Sequence, residues 1–366
     1  MRRDGELGLL PDHPPLYDSD LEATLALVAD LAPAKLSVFH ETGELDIAYA
    51  TEGLPRFRVN GFRQRGSISF AFRVIPNNVP SFDELRLPQG VRRLAEEHRG
   101  LVLCTGATGS GKTTTLATVL DHINRTRRMH IVTVEDPIEI LHADRGCIVN
   151  QREVGLDTDS FLAAIRRVLR QDPDVILIGE LRDAETAETA LKAAESGHLV
   201  FSTMPTIDAG ETISRMIEFF PAVKQDQIRS ILAGVLRGVI SQRLLPRKEG
   251  GGRVAAVEVM LNNARISDLI RDQKTEEITD AIAEGQFFDM QTFSQALIEL
   301  VVAGDVDREV AANASTNRHD FLVALEQALK RQAAGVATDR PVSEAEPQVE
   351  PGEEPMPELR IAGQDG

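Results

Sequence analysis

Apolar residues at Leu21, Leu25, Leu27, Val28 and Leu31 fall near helical spacing and predict one amphipathic helix over 17–32. Alternation takes over at 44–49 and again at 57–62, and a third run of strand character, 70–75, is closed by Pro76. One helix and three strands predict a small α+β domain over 17–80. Pro76, Pro80 and Pro88 then mark a linker with a lead-in helix, 81–99. From Gly100 to about Arg247 the pattern changes to apolar strands alternating with helical stretches, the signature of a parallel sheet with crossover helices. The runs 101–104, 131–134, 175–178 and 199–203 are the clearest strands. After the turn Gly250-Gly251-Gly252 comes a strand at 254–260. Helical periodicity then runs through 266–270, 278–282, 293–302 and 321–329. The pattern divides the chain into an α/β core over 100–262 and a helical subdomain over 263–332.

Composition alters this picture mainly at the ends. Residues 338–366 hold eight acids, two arginines and five prolines, with few large apolar side chains. Such a segment buries too little surface to offset its ordering entropy, so 333–366 is expected to be a disordered acidic tail. Residues 1–16 are expected to be a flexible leader. A net charge of −17 argues against broad nucleic-acid binding, which needs a basic stripe. Two cysteines, Cys104 and Cys147, exclude a disulfide framework and a four-cysteine zinc module. No run of eighteen apolar residues is present, and a cytoplasmic protein is expected.

The chemistry concentrates after the first core strand. Gly106-Ala107-Thr108-Gly109-Ser110-Gly111-Lys112-Thr113, with Thr114 behind it, fits G-x-x-x-x-G-K-[ST] at every fixed position. The glycines let backbone N–H groups turn onto phosphate oxygens, Lys112 can bridge the β- and γ-phosphates of ATP, and Thr113 offers a hydroxyl to Mg²⁺. A strand precedes the loop and a helical face, Leu116, Val119, Leu120 and Ile123, follows it, so a helix N-terminus points at the phosphates. Two further strands end on carboxylates, at Glu135 and Glu180, where open α/β sheets bind ligands. A carboxylate there can hold Mg²⁺ through water or polarise the attacking water. Asp183 to Gly197 reads as a capped helix, and His198 as structural. Arg56, Arg58, Arg63 and Arg65 cluster on the N-terminal strands. Surface charge is the default reading for them; arginine fingers reaching a neighbouring subunit's γ-phosphate are the other.

Residues 169–183, Leu-Arg-Gln-Asp-Pro-Asp-Val-Ile-Leu-Ile-Gly-Glu-Leu-Arg-Asp, match the signature of type II/IV secretion ATPases, and Thr133-Val134-Glu135-Asp136-Pro137-Ile138-Glu139 resembles that family's Asp box. Within it the chain is most similar to the PilT-like pilus retraction branch. Arg56-Phe57-Arg58-Val59-Asn60, Gln64-Arg65-Gly66 and Leu269-Ile270-Arg271-Asp272-Gln273-Lys274 resemble its N- and C-terminal motifs. The resemblance implies a RecA-like P-loop core, a PAS-like N-terminal domain lacking its first strands, and a homohexamer with ATP between subunits. It also implies a pilus-retraction motor peripheral to the cytoplasmic membrane, on an inner-membrane platform protein. By the same resemblance Glu135 activates water, Glu180 handles Mg²⁺, and Arg58 or Arg65 reaches the site from the N-terminal domain. One departure stands out: Pro205 occupies the place of the family's His-box histidine. The hydroxyls of Thr203 and Thr206, at the same strand end, are candidates to replace the lost donor. Without one, the chain is instead a nucleotide-binding accessory subunit with little hydrolysis.

Overall fold

A computed structural model describes residues 1–3, 6–10, 13–30, 32–76 and 78–333. Leu31 and the expected acidic tail from 334 onward lie outside the described residues. At the N-terminus β1 (Arg2–Arg3) and β2 (Glu6–Leu7) pair antiparallel inside the expected leader. The predicted first helix ends early, as α1 (Asp18–Ala29), and a second, α2 (Pro33–Thr42), follows with Pro33 at its first position, where no N–H is needed. Strands β3 (Glu44–Tyr49), β4 (Phe57–Gln64) and β5 (Ser67–Val74) form an antiparallel meander. Its register sets Leu45 beside Gly61 and Ile47 beside Val59. With Ile68, these strand residues bury against Leu25, Val28 and Phe39 of the two helices.

Two short helices, α3 (Phe82–Leu85) and α4 (Gln89–Ala95), lead into the main sheet. In chain order the core then runs β6 (Gly100–Thr105), α5 (Lys112–Thr126), β7 (His130–Glu135), β8 (Ile148–Glu153), α6 (Phe161–Val168), β9 (Val175–Ile178), α7 (Ala184–Glu195) and β10 (Leu199–Met204). It continues through α8 (Ala209–Glu218), α9 (Ala222–Val235), β11 (Leu236–Pro246) and β12 (Arg253–Leu261). Seven strands lie in the order β12-β11-β6-β10-β9-β7-β8, parallel except for the β11–β12 pair. Both faces are covered, which is why the central strands read as unbroken apolar runs. Leu116, Val119 and Ile123 of α5, with Val91 and Leu94 of α4, pack on one face. Residues of α6, α7, α8 and α9 pack on the other.

The remaining helices are α10 (Ala264–Arg271), α11 (Ile278–Ala283), α12 (Phe293–Val302), α13 (Arg308–Ala314) and α14 (Arg318–Ala333). Ile266, Ile270, Ile278 and Ile282 of the first two join the core cluster of α7 to α9. Phe293, Leu297, Phe321 and Leu325 form a separate cluster with Leu245, Val254 and Ala256 of the edge strands. Among the described residues no helix is long and apolar enough to cross a membrane.

Candidate nucleotide-binding site

The G-x-x-x-x-G-K-T loop spans the gap between β6 and α5, as strand and helix flanks require. Gly106 has φ +140°, and a Cβ there would stand 2.4 Å from the Gln242 carbonyl oxygen. Gly111 has φ +93°, with its Cβ position 2.7 Å from Gln242 Nε2. Only glycine fits either place, and the loop curls back against β11 in consequence. Gln242, 3% exposed, pins it there: Nε2 donates to the Ser110 carbonyl (2.8 Å), and Oε1 accepts from Thr115 Oγ1 (2.7 Å). Lys112 arches over the loop, its Nζ donating to the carbonyls of Gly106 (2.7 Å) and Ala107 (3.1 Å). Thr113 and Thr114 follow in the first turn of α5, at the positive end of its dipole.

A cleft of about 310 Å³ opens beside the loop. It is lined by Gly106 to Ser110 together with Ile207, Gln242, Arg243, Leu244 and Arg253. Three features fit a polyphosphate: the glycine backbone of the loop, the lysine folded over it, and a buried Ser110 Oγ that lacks a hydrogen-bond partner. Gln242, Arg243 and Arg253 carry no motif and were not singled out by pattern; polar residues in a strand otherwise read as its solvent side. A larger cavity, about 340 Å³, lies in the N-terminal layer between α1, α2 and β5; of the arginine cluster it touches Arg63, and it touches no residue of the phosphate loop.

Neither predicted carboxylate lines this cleft. Glu135, at the end of β7, is 8% exposed. Its Oε1 accepts from Thr133 Oγ1 (2.6 Å) and Gln151 Nε2 (3.1 Å), and the carboxyl also takes the Glu139 N–H. Burial pushes its pKa up against the pull of these donors. Glu139, four residues on, is exposed. Glu180 follows β9 on a turn fixed by Thr203 Oγ1, which donates to the Gly179 carbonyl (2.6 Å). Its Oε2 accepts from Arg182 Nε (2.7 Å), with Nη2 at 2.6 Å.

The hydroxyls expected to stand in for the missing histidine are not available. Thr203 is committed to Gly179. Thr212 Oγ1 donates to the Asp208 carbonyl, so in the Thr206–Thr212 contact at 2.7 Å it is Thr206 that donates. That expectation is therefore corrected: the Thr203 proton is held by the Gly179 carbonyl after β9, and the Thr206 proton inside the turn that starts α8.

The arginines separate. Arg58 pairs with Asp46 of the neighbouring strand (Nη2–Oδ2 2.8 Å), and Asp136 and Glu139 of the same chain add to the field that stabilises its charge. Arg65 sits exposed at the β4–β5 turn with φ +52°. Arg56 reaches Glu153, the last residue of β8, at 2.9 Å. The partner is 2% exposed, and its Oε2 also accepts the Ile138 N–H (3.2 Å). This pair joins the N-terminal layer to the edge of the main sheet.

A parallel α/β sheet carrying a glycine-lysine phosphate loop between its strand and helix defines a P-loop nucleotide-binding protein. The sequence model of the type II/IV secretion system protein family matches residues 73–338, and the chain belongs to that family. Among curated relatives, the type IV pilus retraction ATPase PilT of Pseudomonas aeruginosa is 45% identical over 85% of this chain and 89% of its own. The twitching motility protein of Neisseria gonorrhoeae is 43% identical over 76% of this chain and 75% of its own. Among solved structures, the pilus retraction motor PilT with bound ADP superposes with a TM-score of 0.81 at 43% identity, covering 87% of this chain and 90% of that one. The Legionella pneumophila ATPase DotB gives 0.72 at 26% identity over 82% and 84%.

Proposed function

We propose that this chain is an ATP-hydrolysing motor subunit that drives retraction of a type IV pilus. The observation that carries the reading is the intact phosphate loop, set in a fold shared along most of its length with a retraction motor solved with ADP. In this reading the subunit works as a homohexamer with ATP between neighbours, docked on an inner-membrane platform protein at the cytoplasmic face, without binding nucleic acid. The loop amides, Lys112 and the α5 N-terminus orient the triphosphate. Thr113 and Glu180 would hold Mg²⁺, directly or through water, and the ion would supply neutralising charge to the phosphates. Glu180 then exchanges its Arg182 contact for that role. Glu135 takes the proton of the attacking water, with burial keeping it basic enough to do so. This requires its carboxylate to leave Thr133 and Gln151 as the site closes. Arg58 or Arg65 of a neighbouring subunit stabilises the transferring phosphoryl group. The second reading, a nucleotide-binding accessory subunit with weak hydrolysis, is favoured by Pro205 and by the committed hydroxyls of Thr203 and Thr206. Phosphate release by the full chain, compared with Lys112→Ala, tests the site. Turnover and nucleotide affinity should both fall sharply in the variant, and equal values in the two proteins would refute the assignment.

A further inference from the structure

Glu258 is an acid in the wrong place for a sheet. It lies near the middle of β12, 3% exposed, on the same strand face as Val254, Ala256 and Met260. Val254 and Ala256 belong to the cluster under α12 and α14, and Met260 to the main core cluster. The carboxylate therefore stands at the seam between the nucleotide core and the C-terminal helices. Its Oε1 accepts the N–H of Ala209, first residue of α8, at 3.0 Å. It also takes the N–H of Phe293, first residue of α12. One buried side chain thus holds the N-termini of two helices from different layers.

Both ends of that link reach the phosphate site. Helix α8 follows directly from the turn carrying Pro205, Thr206 and Ile207, and Ile207 lines the cleft. Across the antiparallel pair Glu258 faces Ser241, whose Oγ accepts from Thr105 Oγ1 (3.0 Å), the residue before Gly106. Two residues on, Arg243 lines the cleft and lays its guanidinium 4.1 Å from the Phe293 ring centroid.

We propose that Glu258 is a positioning residue that couples the 205–208 turn at the phosphate site to helix α12 of the C-terminal layer. The proposal rests on the nucleotide-site reading above. A displacement of the turn as phosphate is bound or lost moves the α8 N-terminus, and the shared carboxylate passes it to α12. The charged groups facing Glu258 are Asp208 from α8 and Arg243 from β11. Burial pushes its carboxyl up to about 7, ahead of the opposing Ala209 hydrogen bond. The charge that both helix N-termini favour is thus gained or lost near neutral pH.

The test uses the full chain, with Glu258→Gln and Glu258→Ala. Amide hydrogen exchange at 293–297 is read with and without ADP, alongside kcat, KM and ADP affinity from pH 6 to 8. Wild type should gain protection at 293–297 on binding ADP. The alanine variant should bind ADP within about threefold of wild type, yet lose that response and at least about tenfold in kcat, the size of one lost buried partner. The glutamine variant keeps the acceptor but not the charge. It should retain the ADP response while losing the part of the kcat pH profile centred near 7. An ADP response at 293–297 that survives in Glu258→Ala overturns the coupling. So does parallel loss of ADP affinity and kcat in that variant, which marks a merely structural role. Failure of wild type to bind ADP at all would instead refute the nucleotide site itself.

Discussion

Replacing Arg56 with alanine removes the one side-chain cation that, among the described residues, pairs with Glu153, 97 residues away in sequence. Glu153 is 2% exposed and Arg56 18%, so the carboxylate has little solvent contact of its own to replace the guanidinium. Breaking one side of a buried ion pair costs about 3–5 kcal/mol, because the remaining charge stays desolvated. The Ile138 N–H still donates to Glu153 Oε2, which places the expected loss near the lower end, about 3 kcal/mol. The chain has no tryptophan and two tyrosines, Tyr17 and Tyr49, both in the N-terminal layer. Tyrosine fluorescence during urea unfolding therefore follows the layer that Arg56 anchors, while far-UV circular dichroism follows the whole chain. The Arg56→Ala transition should move to lower urea by fluorescence first. Adding Glu153→Gln should recover most of the loss, since the amide keeps an acceptor for Ile138 and leaves no buried charge. A shift below about 0.5 kcal/mol, the range of an ordinary surface change, would refute the argument, as would a double variant no more stable than the single one.

Glu135→Gln should bind a fluorescent ATP analogue as wild type does and lose about 10²–10⁴ in turnover, because the amide keeps the shape but cannot accept a proton. Wild-type turnover in that variant would move the base elsewhere, with the exposed Glu139 the other glutamate on the same loop. Pro205→His should raise steady-state phosphate release at saturating ATP, and an unchanged or lower rate in an intact assembly would show that the site works without a donor there.

Strands β6, β7, β9 and β10 were legible because each is a short apolar run bounded by turn residues, and burial on both faces leaves nothing to alternate. The N-terminal meander was legible for the opposite reason: one face is packed and the other wet. Strand β11 was not among the runs singled out. It follows α9 with no residue between Val235 and Leu236, and 231–245 is apolar enough to serve either period. Gly234 and Gly238 flank the junction, but no proline or polar turn separates the two elements, and the backbone turns extended at Leu236, with ψ 132°. Missing that strand also hid one wall of the cleft, since Gln242, Arg243 and Leu244 project from it. The pairing of Arg56 with Glu153 was out of reach for a different reason: nothing local ties an arginine just before β4 to the far edge of another sheet. The arginine cluster could be read as a cluster, whereas the partner of each member is a tertiary fact.

The departure at Pro205 gains meaning once the hydroxyls around it are accounted for. A turn with spare donors would make the missing histidine a small matter, because Thr203 or Thr206 could rotate towards a phosphate. Here Thr203 ties the turn to Gly179, next to Glu180, and Thr206 closes the turn on α8 through Thr212. Either hydroxyl can serve a ligand only by releasing a structural contact. The cations at this site come instead from the phosphate loop, as Lys112, and from the antiparallel edge of the sheet, as Arg243 and Arg253 lining the cleft. Arg243 is itself held over Phe293 and hydrogen-bonded to the Ala314 carbonyl. Charge on bound phosphate would therefore pull on α5, β11 and β12, and through Arg243 on Phe293 of α12, rather than on the strand end that the family's histidine would occupy. In this chain the route from nucleotide to moving parts runs through the antiparallel edge of the sheet, where Glu258 joins the two helical layers.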